Sequence, residues 1–408
     1  MIVARTALKP SVNARSPDPD APLDDLAGLR GIVGDARVVA IGESAHYVPE
    51  FHLVRHRLLR FLAERLGFSA YALEAPFTAG RAIGDWIESG SGDIGAIAAT
   101  AMPIRLGRVP ELHDTLRWMR ANGGLRFVGT DVPGSGGSIV PALERVRSAF
   151  EGVDAEALPL IDRAIGLARG HHHAATFPVL ARYATVPAGE QDELTAVLSR
   201  LLSRAETMVR HLAARGGDAA DALLDLRGAW YADHLHRDFA GRAFAAAAAS
   251  RDAFMAEVVL DRLERNPEER MVVASHNVHI QKLPSAGGPR GQLPQGFHLA
   301  AALGDDYRAI AITAPAGRTA QIQPNPVADE GFGILEVELE PPADDSLDAL
   351  LSGDAPLAVA DLRGAPVDGI HRMRMEGYFL ELPVVDAFDA VAWVPRSTVS
   401  PAVSGSTG

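Results

Sequence analysis

The chain has 408 residues and no cysteine, which excludes disulfides, thiolate metal sites and a cysteine nucleophile. A formal net charge of −13, from 39 basic and 52 acidic residues, argues against a nucleic-acid backbone or an anionic membrane as partner. Hydrophobic residues make up 47%, enough for a sizeable core, yet no apolar run reaches membrane-spanning length. The first 22 residues are polar and proline-rich, without the apolar core of a signal peptide. A soluble, cytoplasmic protein is expected.

The first part of the chain alternates strands and helices. Strands are expected near 37–42, 69–74 and 125–131, and helices near 50–66, 79–89 and 110–121. From about 139 to 265 the periodicity is almost wholly helical, in Ala-, Leu- and Arg-rich segments. Strands resume at MVVASH, YRAIAIT and ILEVELE, and short strands with Pro-rich turns follow, including AVAWVPRSTVSPAV. This order predicts an α/β fold with a parallel-rich central sheet flanked by helices. With no repeat or Gly/Ser linker, residues 1–408 read as one domain, and the helical block as an insertion that walls its cleft.

Four short apolar runs each end in ionisable residues. Glu43 and His46 follow the first, Glu74 ends the second, Asp131 the third, and His276 and His279 follow MVVAS. Ligands of open α/β sheets bind at the carboxyl ends of the strands, so one sheet would gather these six residues into one crevice.

Gly42 is expected to let the chain turn sharply off the sheet. One helical turn would bring Glu43 beside His46, and a carboxylate raises the basicity of an imidazole. The same spacing fits a helix start with a solvated Glu and a capping His. Arg55 shares a stripe with Phe51, Leu58 and Leu62, where a cation needs an anion or an escape to solvent. Glu43 or Glu74 would be that anion. Asp131 could equally cap the glycine-rich turn that follows it.

The turn GSGGS lacks the spacing of a phosphate loop, and the strand–serine–helix elbow of a serine hydrolase is absent around Ser135. No HExxH occurs. The histidines and carboxylates suit either a metal site or metal-free acid–base hydrolysis. His171–His173 read as solvated, while His234 and His236 read as part of the cleft wall.

The stretch GDARVVAIGESAHYVPEFHLVRHRLLRFLAERLGFSAYALEAPF resembles the N-terminal signature of the erythromycin esterases. The similarity continues through RFVGTDVPGSGGS, VVASHNVHIQKLP, ALGDDYRAIAIT and AFDAVAW, covering nearly the whole chain. It is strongest to the type II branch. The resemblance implies hydrolysis of the lactone ester of 14-membered macrolides in a deep cleft. It implies His46 as general base for water, with Glu43, Glu74, Arg55, His276 and His279 as the other catalytic residues. Tyr47, Asp131 and His234 are candidates for substrate contact. No metal and no cofactor is expected, and the partner is a small-molecule macrolide or another ester or lactone. Ala45 and Tyr47 stand where many members have Thr and Gly, and both are expected at the site mouth. A different natural ester, a divalent-metal hydrolase and a haem- or iron-binding relative stay open as alternatives.

Overall fold

The strands at the centre of the sheet are built from β-branched residues and alanine, and alternate residues enter two apolar layers. Val39 and Ile41 join Tyr71, Leu73, Val272 and Ala274 in one core. Val38 and Ala40 join Ala70, Ala72, Met271 and Val273 in the other. The computed structural model describes residues 7–214, 217–284, 292–367 and 369–403.

In chain order the strands are β1 (Val12–Ala14), β2 (Val38–Ile41), β3 (Ala70–Pro76), β4 (Arg126–Asp131), β5 (Met271–Ala274) and β6 (Tyr307–Thr313). They continue with β7 (Arg318–Pro324), β8 (Phe332–Glu338), β9 (Leu357–Asp361), β10 (Arg372–Met375), β11 (Tyr378–Glu381) and β12 (Ala390–Trp393). The helices before the second half are α1 (Leu29–Val33), α2 (Pro49–Leu66), α3 (Phe77–Glu88), α4 (Ile94–Ala101) and α5 (Pro110–Asn122). The helical block holds α6 (Val140–Phe150), α7 (Leu158–Arg169), α8 (Thr176–Tyr183), α9 (Ala188–Ala213), α10 (Gly217–Ala240) and α11 (Phe244–Arg265). Three short helices follow, α12 (Asn277–Ile280), α13 (Gln295–Leu303) and α14 (Val384–Ala387).

Among the described residues eight strands form one sheet, in the order β1-β9-β12-β6-β2-β5-β3-β4. The run from β12 to β4 is parallel, and β9 and β1 finish the other edge antiparallel. The parallel-rich sheet expected from the sequence is present. ILEVELE is not part of it: β8 pairs with β7 in a separate hairpin, as β10 does with β11. Helix α4 was not anticipated; Asp93 caps it by accepting from the Ala96 N–H. No helix among the described residues is long and apolar enough to cross a membrane. Helices α6–α11 share a third core, which also takes in Phe77 and Val132, while α11 sends Ala256, Val259 and Leu263 into the second.

The chain leaves β2 for β3 and β4, returns through β5 between β2 and β3, and then crosses to β6. The ends of β2, β5, β3 and β4 therefore lie side by side. Register along β3 shifts between Leu73 and Pro76, a bulge with one extra residue opposite β4. Glu74 sits in that bulge, just beyond the pairing of Leu73 with Ala274.

Gly42 has a different reason from the one expected. It is not among the residues of positive φ. A Cβ there would lie 1.9 Å from the Asn277 Oδ1. Asn277 stands beside β6 like a piece of strand: its Nδ2 donates to the Ile312 carbonyl at 2.9 Å, and its Oδ1 accepts the Ile312 N–H at 3.2 Å. Its own N–H donates to the Glu43 carbonyl at 2.8 Å. Gly42→Ala should therefore destabilise by about 1–3 kcal/mol through overpacking. Equilibrium denaturation checks this, and an unchanged midpoint would show that Asn277 yields at no cost.

Candidate active site

The turn between β2 and α2 brings Glu43 to His46 without a helical turn, because α2 starts only at Pro49. Glu43 Oε1 lies 2.9 Å from His46 Nδ1, and Oε2 lies 3.0 Å from Arg55 Nη2. Arg55 takes the first of its two expected partners. From its stripe on α2 it also donates to the Gly42 carbonyl at 3.1 Å and the Ser275 carbonyl at 3.4 Å. It thus ties the ends of β2 and β5 together and faces backbone, at 3% side-chain exposure.

Burial alone would raise the Glu43 pKa, but Arg55, then the His46 hydrogen bond, bring it down to about 2. Burial would likewise discharge His46. The Glu43 hydrogen bond and the charges of Glu74, Glu43 and Glu376 outweigh it and raise His46 to about 9. The His46 carbonyl accepts from His52 Nε2 at 2.8 Å, and burial keeps His52 below its ordinary pKa. His46 Nε2 makes no hydrogen bond to a described residue, and the side chain is 13% exposed.

Glu74 is held from three sides. Arg251 Nη2 donates to Oε1 at 2.8 Å, the His276 N–H donates to Oε2 at 2.8 Å, and His279 Nε2 lies 3.4 Å from Oε1. Burial opposes its charge, yet His279 and Arg251 hold it well below the usual carboxylate range. Asp131 does not face the cleft directly. It is fully buried, and the Arg251 fork donates to its two oxygens at 2.8 and 2.7 Å. It also accepts the Val132 N–H at 2.8 Å, so the turn cap and the site role coincide in one residue.

His276 and His279 do different things. His276 Nδ1 accepts the Val278 N–H at 3.2 Å and its Nε2–H donates to the Ser44 carbonyl at 3.0 Å. That fixes one neutral tautomer, and burial followed by the charge of His46 lowers its pKa to about 3. Its ring stands edge-on to His46 at 5.2 Å. His279 Nδ1 lies 2.6 Å from Asp252 Oδ1, and burial is outweighed by Asp252 and Glu74, which raise its pKa.

Tyr47 and Ala45 are buried, not at the mouth. The Tyr47 hydroxyl donates to the Ile104 carbonyl, where the backbone has positive φ at both Ile104 and Arg105. The His234 ring stands edge-on to Trp230 at 4.4 Å, and Trp230 in turn donates to Ser199 of α9. His171 is buried rather than solvated, with its ring 5.0 Å from that of Tyr183 and 6.1 Å from that of His236.

Three residues escaped the sequence reading. Asp252 lies on a stripe with Ala256, Val259 and Leu263, the same pattern of one charge among apolar residues that marks Arg55. Arg251 precedes it in an otherwise alanine-rich run. Glu376 carried no such signal. It sits in the β10–β11 turn at φ 50°, its N–H donates to the Ser44 carbonyl at 2.6 Å, and burial pushes its carboxyl pKa up.

A cavity of about 290 Å³ reaches Arg251 and Ile104 and is otherwise lined mainly by apolar side chains, among them Phe177, Leu180, Phe239 and Phe244. These four also line a wider opening of about 780 Å³. Among the described residues no three His, Asp or Glu side chains are arranged to hold a metal ion. The cluster pairs an imidazole with a carboxylate twice, near an apolar cavity, a set suited to proton transfer.

The erythromycin esterase family model matches residues 63–397. An erythromycin esterase type II of Escherichia coli is 33% identical over 403 residues, covering 94% of this chain and 95% of that protein. An erythromycin esterase type I of Escherichia coli is 27% identical over 387 residues, covering 90% and 92%. In structure, a mutant of the erythromycin esterase EreC in its open conformation has a TM-score of 0.85 at 23% identity, covering 95% of this chain and 97% of that one, a likeness of fold. The chain belongs to the erythromycin esterase family and is an ester hydrolase.

Proposed function

We propose that this enzyme opens the lactone ester of 14-membered macrolides by adding water activated at His46. The observation that carries the mechanism is the line Arg55–Glu43–His46, with successive contacts of 3.0 and 2.9 Å that end on an imidazole whose Nε2 has no hydrogen-bond partner among the described residues. Water bound there loses a proton to Nε2, and the hydroxide adds to the lactone carbonyl. Glu43 orients the ring and stabilises the imidazolium. Arg55 holds Glu43 charged, Arg251 does the same for Glu74, and Arg251 also fixes Asp131 in place. His276 cannot exchange a proton without breaking a backbone contact at either ring nitrogen, so His279 is the remaining imidazole for the leaving alkoxide. The helical block belongs to the same domain, and its apolar wall receives the macrocycle.

The substrate assignment rests on the resemblance to erythromycin esterases and on the apolar cleft. Mass spectrometry of a panel of 14-membered macrolides tests it: a product heavier by one water, formed equally with EDTA, is expected. Absence of product from every macrolide would overturn the substrate, and loss of product with EDTA the metal-free mechanism. His46→Ala should lower kcat by about 10²–10⁴-fold while folding is retained. Near-normal turnover would remove His46 from the chemistry.

A base must be unprotonated to act, so kcat/KM should rise with pH through about 9, the raised value of His46. The same shift acts on stability. Its contribution is fully present below the ordinary value of 6.5 and is lost as pH rises through about 9. Denaturation at pH 6 and pH 9.5 should therefore show a larger loss for the wild type than for His46→Ala.

Arg55→Ala leaves Glu43 buried beside only a titratable partner. A loss of roughly 3–5 kcal/mol is expected. A denaturation midpoint within error of the wild type would show that His46 alone suffices to hold Glu43.

A further inference from the structure

We propose that Asp252, supplied by α11, is a positioning residue for His279: it holds the ring with Nδ1–H on its carboxylate and Nε2 toward Glu74, ready to donate a proton to the leaving alkoxide. The catalytic half of this statement rests on the proposed function; the pairing itself does not.

Asp252 is fully buried and cannot rotate freely. Its Oδ1 lies 2.6 Å from His279 Nδ1 and accepts the Gln295 N–H at 3.0 Å, while Oδ2 accepts from Gln292 Nε2 at 3.0 Å. Gln295 is in turn anchored, its Nε2 donating to the Met255 carbonyl at 3.1 Å. A carboxylate fixed by these contacts gives the imidazole one orientation, because the ring plane must follow the short Nδ1 contact.

The charged and titratable groups around His279 come from α11, β3 and its own turn. Asp252 and Arg251 approach from α11, Glu74 from β3, and His276 from its own turn. Arg251 Nη1 lies 3.3 Å from His279 Nε2 and disfavours a second positive charge. Glu74 at 3.4 Å alone must share its charge with Arg251, so Asp252 decides the balance toward imidazolium. Burial opposes the charged ring, and the two carboxylates still raise its pKa. The helical block is thus a chemical part of the site as well as its wall.

In the step assigned here, the tetrahedral intermediate collapses and the ring C–O bond breaks with its electron pair on the alkoxide oxygen. That oxygen takes the proton from His279 Nε2 and becomes the alcohol, while the acyl carbon ends as the carboxylic acid. The proton removed from water at His46 is released to solvent, and His279 regains one from solvent. One water is consumed in all.

Proton and ¹⁵N NMR of histidine-labelled protein tests the pairing, with His279 assigned by its loss in His279→Gln. The expected wild-type spectrum has a strongly downfield Nδ1–H and a ring that titrates above the ordinary value of 6.5. In Asp252→Asn that proton should move upfield and the titration should fall. Its kcat on the macrolide should drop about 10- to 100-fold with KM within about twofold, and Asp252→Glu should recover part of it. A neutral wild-type His279 protonated at Nε2, or an Asp252→Asn enzyme with unchanged titration and kcat, would overturn the proposal. If Asp252→Asn does not fold, the wild-type spectrum decides. If no macrolide is opened, the kinetic arm falls with the substrate assignment, and the spectrum still decides whether Asp252 sets the state of His279.

Discussion

Four carboxylates buried in one place are the constraint on which the rest of this structure depends. Glu43, Glu74, Asp131 and Asp252 are all nearly or fully inaccessible to water. Unpaired, each would cost several kcal/mol or take up a proton. Two arginines enter the cluster from different helices, Arg55 from α2 and Arg251 from α11. Two arginines do not reach every carboxylate, and His46 and His279, each against a carboxylate of the cluster, have raised pKa values.

The same constraint explains the division of labour among the histidines. His276 lies within the cluster but contacts backbone at both ring nitrogens, so it stays neutral and fixes the turn around Ser44. His52 lies behind the cluster and supports the His46 carbonyl. In the cluster, the pKa rises where a carboxylate reaches a ring nitrogen directly, at 2.9 Å for His46 and 2.6 Å for His279.

Sheet and helical block cooperate in building this site. The sheet brings the ends of β2, β5, β3 and β4 together, and its bulge in β3 releases Glu74 from strand pairing. Helix α11 crosses from the third core to the second and lays Arg251 and Asp252 over those ends. Removing either part would leave charges of the other buried without partners. An apolar cavity borders this polar cluster at Arg251.

Much of this was legible in the chain. Short β-branched runs ending in Glu43, Glu74, Asp131 and His276 defined the sheet and the crevice, because strand periodicity and the strand-end rule are local properties. The charge of Arg55 within an apolar stripe announced a buried ion pair for the same reason. What the sequence could not settle was which anion Arg55 takes, why position 42 is glycine, and which cation meets Glu74. Arg55 finds Glu43 only because the turn after β2 folds back on α2, Gly42 meets Asn277 from far along the chain, and Arg251 reaches Glu74 across 177 residues. Composition and periodicity determine which residues must be buried and on which element. Only the packed tertiary structure decides which buried charges face each other, because electrostatic pairing is set by distances of about 3 Å that no local pattern encodes.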